Sequence, residues 1–168
     1  ESSKLESEAI STKSCQKQGI PLTILRLGLM YGEGMNYGWP SVVESIKKGK
    51  MRIIGNGQSL IQLSYIQDVV EGVTLAVGNN NSYGLTFNLC GDDVCSISDV
   101  FDLIAKLLEV PLPKRVPYIP FYLLSHVLTQ IPNYLKPNKL KLITPHRIRF
   151  FRENHVYSTD RAKKILEF

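Results

Sequence analysis

The sequence predicts an α/β fold built on an open sheet. Three observations carry the prediction. Short apolar runs of strand length alternate with stretches of helical periodicity. Gly or Pro punctuates most boundaries between them. Hydrophobic residues make up 43% of the chain against 21% charged, which is enough for a core and too apolar for a disordered chain. The 168 residues suit one domain and hardly two.

The elements follow in order. Residues 1–18 read as a helix with Leu5, Ala9 and Ile10 as an apolar stripe and Gly19 at the C′ position. Pro21 precedes LTILRL (22–27), a short buried strand, and a Gly-rich loop occupies 27–38. PSVVESIKKG (40–49) is a helix with Pro near its start and Gly after its end. MRIIG is a strand, GNGQS a turn and IQLSYI (61–66) extended. QDVVEGVTLAV (67–77) is a helix with apolar positions 69, 70, 73, 76 and 77. NNNSYG is a polar surface loop, and LTFNLC (85–90) a strand. A helix over 97–109 is capped by Ser96 or Ser98 and turns Val100, Phe101, Ile104, Leu107 and Leu108 inward. Six prolines mark 110–137 as irregular, around one short apolar helix, FYLLSHVLTQI, read as a lid or lobe-packing helix. A strand-like HVY and a helix starting near Thr159 close the chain.

Several function classes drop out. The net charge of +5 is too weak to imply nucleic acid without a patch. The run from Lys136 to Arg152 has Lys136, Lys139, Lys141, Arg147, Arg149 and Arg152 and no acid. It reads as a solvated face, with an anionic-substrate or membrane-surface patch as the sharper alternative. No stretch reaches the ~18 apolar residues of a spanning helix. Cys15, Cys90 and Cys95 form no CxxC pair, and His126, His146 and His155 are scattered. The expectation is reduced thiols in a cytoplasmic protein with no metal site.

Six pieces then stand in a telling order: SSKxxxE at 2–8, LTILRLGLMYGEG at 22–34, GNG at 55–57, SYIQDVVEG at 64–72, FNLCG at 87–91 and VYSTDRAKKILEF at the end. Together they resemble the C-terminal half of extended short-chain dehydrogenases/reductases, which include nucleotide-sugar epimerases and dehydratases, sterol dehydrogenases and dihydroflavonol reductases. The resemblance implies the C-terminal part of a Rossmann-type parallel sheet (1–90), a small substrate-binding lobe (91–152), and a returning strand and helix (153–168). It implies NAD or NADP as cofactor, a small-molecule substrate and a homodimer through the Lys4 helix.

The family's catalytic pair is Tyr-x-x-x-Lys. Lys4 matches the lysine, and the tyrosine falls one position before Glu1. A cation one turn from a phenol lowers the phenol pKa toward working pH. The GxxGxxG of the first βα unit has no match. Gly55-x-Gly57 opens no helix and reads as a turn. The chain is therefore expected to be a fragment, inactive alone. The resemblance assigns Lys4, Leu27, Gly28, Leu29 and Met30 to the cofactor. It assigns Tyr31, Gly32, Tyr65, Arg147 and Arg149 to the substrate. Tyr65 and Asp68 fit its aromatic-x-x-Asp piece, with Asp68 as a cap or dipole partner.

Leu29 stands where nucleotide-sugar epimerases carry Asn, and Ile61 and Gln62 where they carry an Arg-Asp pair. Loss of a bidentate Arg fork favours an apolar substrate over a diphosphate. The expected activity is oxidation or reduction of a secondary alcohol or ketone on a sterol, flavonoid or similar molecule. A nucleotide-sugar epimerase/dehydratase and a non-catalytic dinucleotide-binding scaffold are the alternatives.

Overall fold

A glycine and an ion pair set the first helix, α1 (Ser2–Gln18). In the computed structural model, which describes residues 2–131, 137 and 143–168, Gly19 ends it at φ 67°. Gly19 N–H donates to the Gln16 carbonyl at 3.4 Å and Ile20 N–H to that of Cys15 at 3.0 Å, the paired bonds of a Schellman stop. The expected apolar stripe is not what α1 turns inward: Leu5, Ala9 and Ile10 are exposed. Glu8, Thr12 and Cys15, spaced four and three apart, form the half-buried face instead. The reason is Arg26, whose Nε and second terminal nitrogen grip the two Glu8 carboxylate oxygens at 2.9 and 2.6 Å. That fork joins the half-buried face of the helix to the strand carrying Arg26.

The chain divides into two units: residues 1–33, 63–92 and 157–168, and residues 34–62 and 93–156. In the first, β1 (Ile24–Leu27) pairs in parallel with β5 (Thr86–Leu89), Ile24 opposite Thr86 and Leu27 opposite Leu89. Phe87 and Leu89 are fully buried, with Ala76, Ala162 and Leu166 around them and Leu25, Leu75, Ile165 and Phe168 packed on the cluster. Burying side chains of this size stabilises by roughly 1.5–3 kcal/mol each. α3 (Ile66–Ala76) and α7 (Asp160–Leu166) supply the small residues that let them settle on β5. A Cβ on Gly72 would stand 2.9 Å from the Phe168 ring and 3.0 Å from Leu89 Cδ1.

α3 therefore buries Val69, Gly72 and Ala76, while Val70, Val73 and Val77, expected on its inner stripe, are exposed. The start of the Gly-rich loop is also a strand, β2 (Leu29–Tyr31), parallel to the second half of β4 (Leu60–Tyr65). The polar NNNSYG segment is a 3-10 turn over Asn80–Ser82, capped by the Asn79 side chain. Its Ser82 is fully buried, with its hydroxyl 2.9 Å from that of Thr23, so this segment is not wholly surface loop.

The second unit holds α2 (Trp39–Lys47), β3 (Arg52–Ile54), the first half of β4, β6 (Val94–Ser96), α4 (Ile97–Leu107), β7 (Lys114–Val116), α5 (Tyr118–Gln130) and α6 (Pro145–Arg149). Residues 34–62, expected with the preceding segment, group here because β3 pairs in parallel with β7, β4 pairs antiparallel with β6, and α2 packs on α4. Ser96 caps α4 in a full capping box with Asp99. Phe101 and Ala105 are buried on α4, whereas Leu107, expected inward, is exposed in its last turn. Of HVY, only His155 makes a bridge, to Ile61. Its ring stacks on Phe150 at 4.4 Å. Glu1, Pro132, Lys136, Lys139 and Lys141 lie outside the described residues.

Candidate functional site

Open α/β sheets bind ligands beyond the carboxyl ends of their strands. In the first unit those ends meet at Gly28. Its N–H still bonds the Leu89 carbonyl at 3.0 Å, the last rung with β5. One residue later the chain pairs with β4, Leu29 opposite Leu63. The backbone at this change of partner is tightly enclosed. A Cβ on Gly28 would stand 2.6 Å from Ser64 Oγ and 2.8 Å from Cys90 Sγ. A Cβ on Gly91 would fall on the Leu63 carbonyl oxygen, and Gly91 N–H donates to Ser64 Oγ at 3.2 Å. Ser64 and Cys90 are both buried. Burial also pushes the Cys90 thiol up, so it stays protonated and acts as packing.

Beyond the junction, Tyr31 and Tyr65 end β2 and β4 with ring centroids 5.5 Å apart, tilted by 41°. Gly32 follows at φ 144°, where a side chain would collide with Ile66. The structure thus brings Leu27, Gly28, Leu29, Met30, Tyr31, Gly32 and Tyr65 to neighbouring strand ends of one unit. Leu27 and Tyr31 are exposed, and Leu29 and Met30 half-buried. Arg147 and Arg149 lie in the second unit on α6, both exposed. Asp68 sits in the first turn of α3, whose N-cap residue is Tyr65 and which has no side-chain cap bond. Of the two structural roles expected for Asp68, the helix dipole is the one the geometry supports.

Lys4 is exposed on α1, and no carboxylate among the described residues pairs with it. Its neighbour one turn on, Glu8, is held by Arg26, whose hydrogen bonds keep the Glu8 carboxyl below its usual range. The Lys4 ammonium is left with three N–H donors to offer.

Sequence reasoning passed over Ser64, Cys90 and Gly91. All three stand inside SYIQD and FNLCG, but only the pairing of β1 with β5 and of β2 with β4 brings them together, with Ser64 and Cys90 enclosing Gly28.

The Gly55–Gly57 turn is filled by protein. A Cβ on Gly57 would stand 2.8 Å from Ile53 Cγ2, and Ser98 N–H and Oγ donate to the Gly57 carbonyl at 3.0 and 3.1 Å. A pyrophosphate has no cradle there. Ile61 and Gln62 are buried in β4. Among the described residues, no group of three or more His, Cys, Asp or Glu could hold a metal, and no helix is long and apolar enough to cross a membrane.

The sequence profile of the NAD dependent epimerase/dehydratase family matches residues 1–90. The mouse (Mus musculus) sterol-4-alpha-carboxylate 3-dehydrogenase, decarboxylating, is 27% identical over 137 residues, covering 77% of this chain and 38% of that protein. An uncharacterized UDP-glucose epimerase, YtcB, of Bacillus subtilis (strain 168) is 30% identical over 107 residues, covering 62% of this chain and 34% of its own. The chain thus spans well under half the length of these curated relatives. The crystal structure of UDP-glucuronic acid 4-epimerase from Bacillus cereus, in complex with UDP-glucuronic acid and NAD, superposes with a TM-score of 0.68 at 18% identity, over 98% of this chain and 45% of that one. That likeness makes the fold Rossmann-type α/β.

Proposed function

The chain belongs to the NAD dependent epimerase/dehydratase family, and on that premise we propose that its protein is an NAD-dependent oxidoreductase of a secondary alcohol or ketone on an apolar, sterol-like substrate. The observation that carries the chemistry is the exposed Lys4 ammonium, which no carboxylate among the described residues pairs with. With Glu8 engaged by Arg26, that cation is available both to ribose hydroxyls and to a phenol one turn earlier on the same helix face. These donors fit the ribose hydroxyls of the dinucleotide, while Gly28 and Gly91 serve the close approach of the strands, with Ser64, Cys90 and the Leu63 carbonyl against them. The filled Gly55–Gly57 turn does not fit the dinucleotide's pyrophosphate.

Bound NAD supplies the hydride acceptor or donor. The chain's own residues position and tune. Lys4 holds a phenol near its working pKa so that the phenol can take or give the carbinol proton. Tyr31 and Tyr65 border the substrate in the first unit.

Three positions support the apolar substrate. Leu29 offers no hydrogen bond to a diphosphate. Ile61 is buried as core, and Gln62 is buried beside it, so neither presents an Arg fork. The match to the mouse sterol dehydrogenase points the same way. The exposed Leu5, Ala9 and Ile10 support a homodimer through α1.

Melting of the full-length protein with NAD and either a 3-hydroxysterol or UDP- and dTDP-sugars separates the substrate classes. Stabilisation and NADH production with the sterol alone are expected. Stabilisation by a nucleotide sugar would give the protein to the epimerases instead.

A further inference from the structure

We infer that the second unit docks on anionic phospholipid bilayers through the uncovered face of α5. A helix with a broad apolar face ordinarily turns that face inward. α5, YIPFYLLSHVLTQ, buries only Ser125 and Leu128, and the Ser125 hydroxyl is answered by the Tyr122 carbonyl of its own helix. Ile119, Leu123 and Val127, at four-residue spacing, are 69%, 60% and 62% exposed. Leu124 widens that stripe and Ile131 lengthens it. An apolar surface of this breadth on one helix calls for a cover.

The surrounding charge says which cover. α5 packs on α6, and neither helix carries an acidic residue. Arg147 and Arg149 are exposed on α6, Arg152 is exposed just after it, and Lys114 and Arg115 are exposed on β7, which leads through Pro117 into α5. Glu153 is the exposed acid closest in sequence to these arginines. At the N-terminal end of α5 lies a cavity of about 480 Å³ whose walls include Tyr118, Ile119, Phe151, Asn56 and Arg152. The Arg152 guanidinium stands 5.3 Å over the Tyr118 ring. A cation and side-chain amides thus sit at the root of an apolar stripe. A lipid phosphate fits the first and its acyl chains the second, the arrangement of a helix lying in the plane of a membrane interface.

Vesicle co-sedimentation of the full chain tests the assignment. Vesicles of phosphatidylcholine with about a third phosphatidylserine are expected to bind, and phosphatidylcholine alone at least about tenfold more weakly. Raised salt should weaken the binding. Leu123→Glu with Val127→Glu, both at exposed positions, should lose about tenfold or more while leaving the melting temperature unchanged. Arg147→Glu with Arg149→Glu should weaken binding to the anionic vesicles in a protein whose α5 is intact. Failure to bind either vesicle, or binding that survives both double variants, overturns the inference. So does a dimer, seen by sedimentation velocity, that the α5 variant dissolves without any vesicle binding. The readout involves no turnover, so it stands or falls apart from the oxidoreductase reading.

Discussion

At the scale of single residues, the Glu8–Arg26 fork is the contact of α1 that bears on Lys4. It occupies the carboxylate that would otherwise neutralise Lys4. Lys4→Met in the full-length protein should therefore cut kcat by about 100-fold or more with an unchanged melting temperature, because Lys4 is exposed. A kcat within threefold of the parent would remove Lys4 from the chemistry. Gly28 makes a different prediction. An added Cβ has Ser64 Oγ and Cys90 Sγ in its way, so Gly28→Ala should destabilise by about 1–3 kcal/mol in urea unfolding. Lys4 was singled out in the sequence by its place in SSKxxxE, through the resemblance, and its role is what the variant tests. The enclosure of Gly28 was not legible there, since Ser64 and Cys90 lie 36 (64 − 28) and 62 (90 − 28) positions away.

At the scale of elements, the helices were readable wherever caps are written into neighbouring residues. Gly19 stops α1, and Ser96 with Asp99 starts α4. Removing the Ser96 hydroxyl by Ser96→Ala should cost about 1 kcal/mol. It should also alter the acid limb of unfolding. The Asp99 carboxyl is held below its usual range by the Ser96 side chain and then the Ser96 backbone. Its contribution is therefore present above the ordinary carboxylate pKa and lost as pH falls through the lowered folded value. The Ala variant should lose stability less steeply over that window. The faces of helices were less readable than their ends. Leu5, Ile10, Val70 and Leu107 match a periodic stripe yet stand in water, because an ion pair, a glycine or the end of the helix decided otherwise. For α1 this gives a direct check. Leu5→Glu with Ile10→Glu should convert a dimeric full-length protein to monomer in light scattering, without changing its helix content.

At the scale of the whole chain, residues adjacent in sequence belong to different units. The segment 34–62 groups with 93–156, and the chain crosses back between Gln62 and Leu63, inside a single strand. Composition and order reveal the α/β class, since it rests on alternation. They do not reveal this partition, which rests on pairings such as Arg52 with Lys114.

The exchange of partners at Gly28 bears on how the chain reaches this state. Ile24 must find Thr86, 62 positions on (86 − 24), and Leu29 must find Leu63, 34 positions on (63 − 29). Both pairings are parallel, so neither can begin from a tight hairpin. Each requires a long loop to close before any rung rewards it. On the ribosome, the run from Ile24 to Tyr31 emerges with both future neighbours still unmade. It stays without either of these two strands through the synthesis of the next several dozen residues, an interval in which an apolar run is open to misassembly.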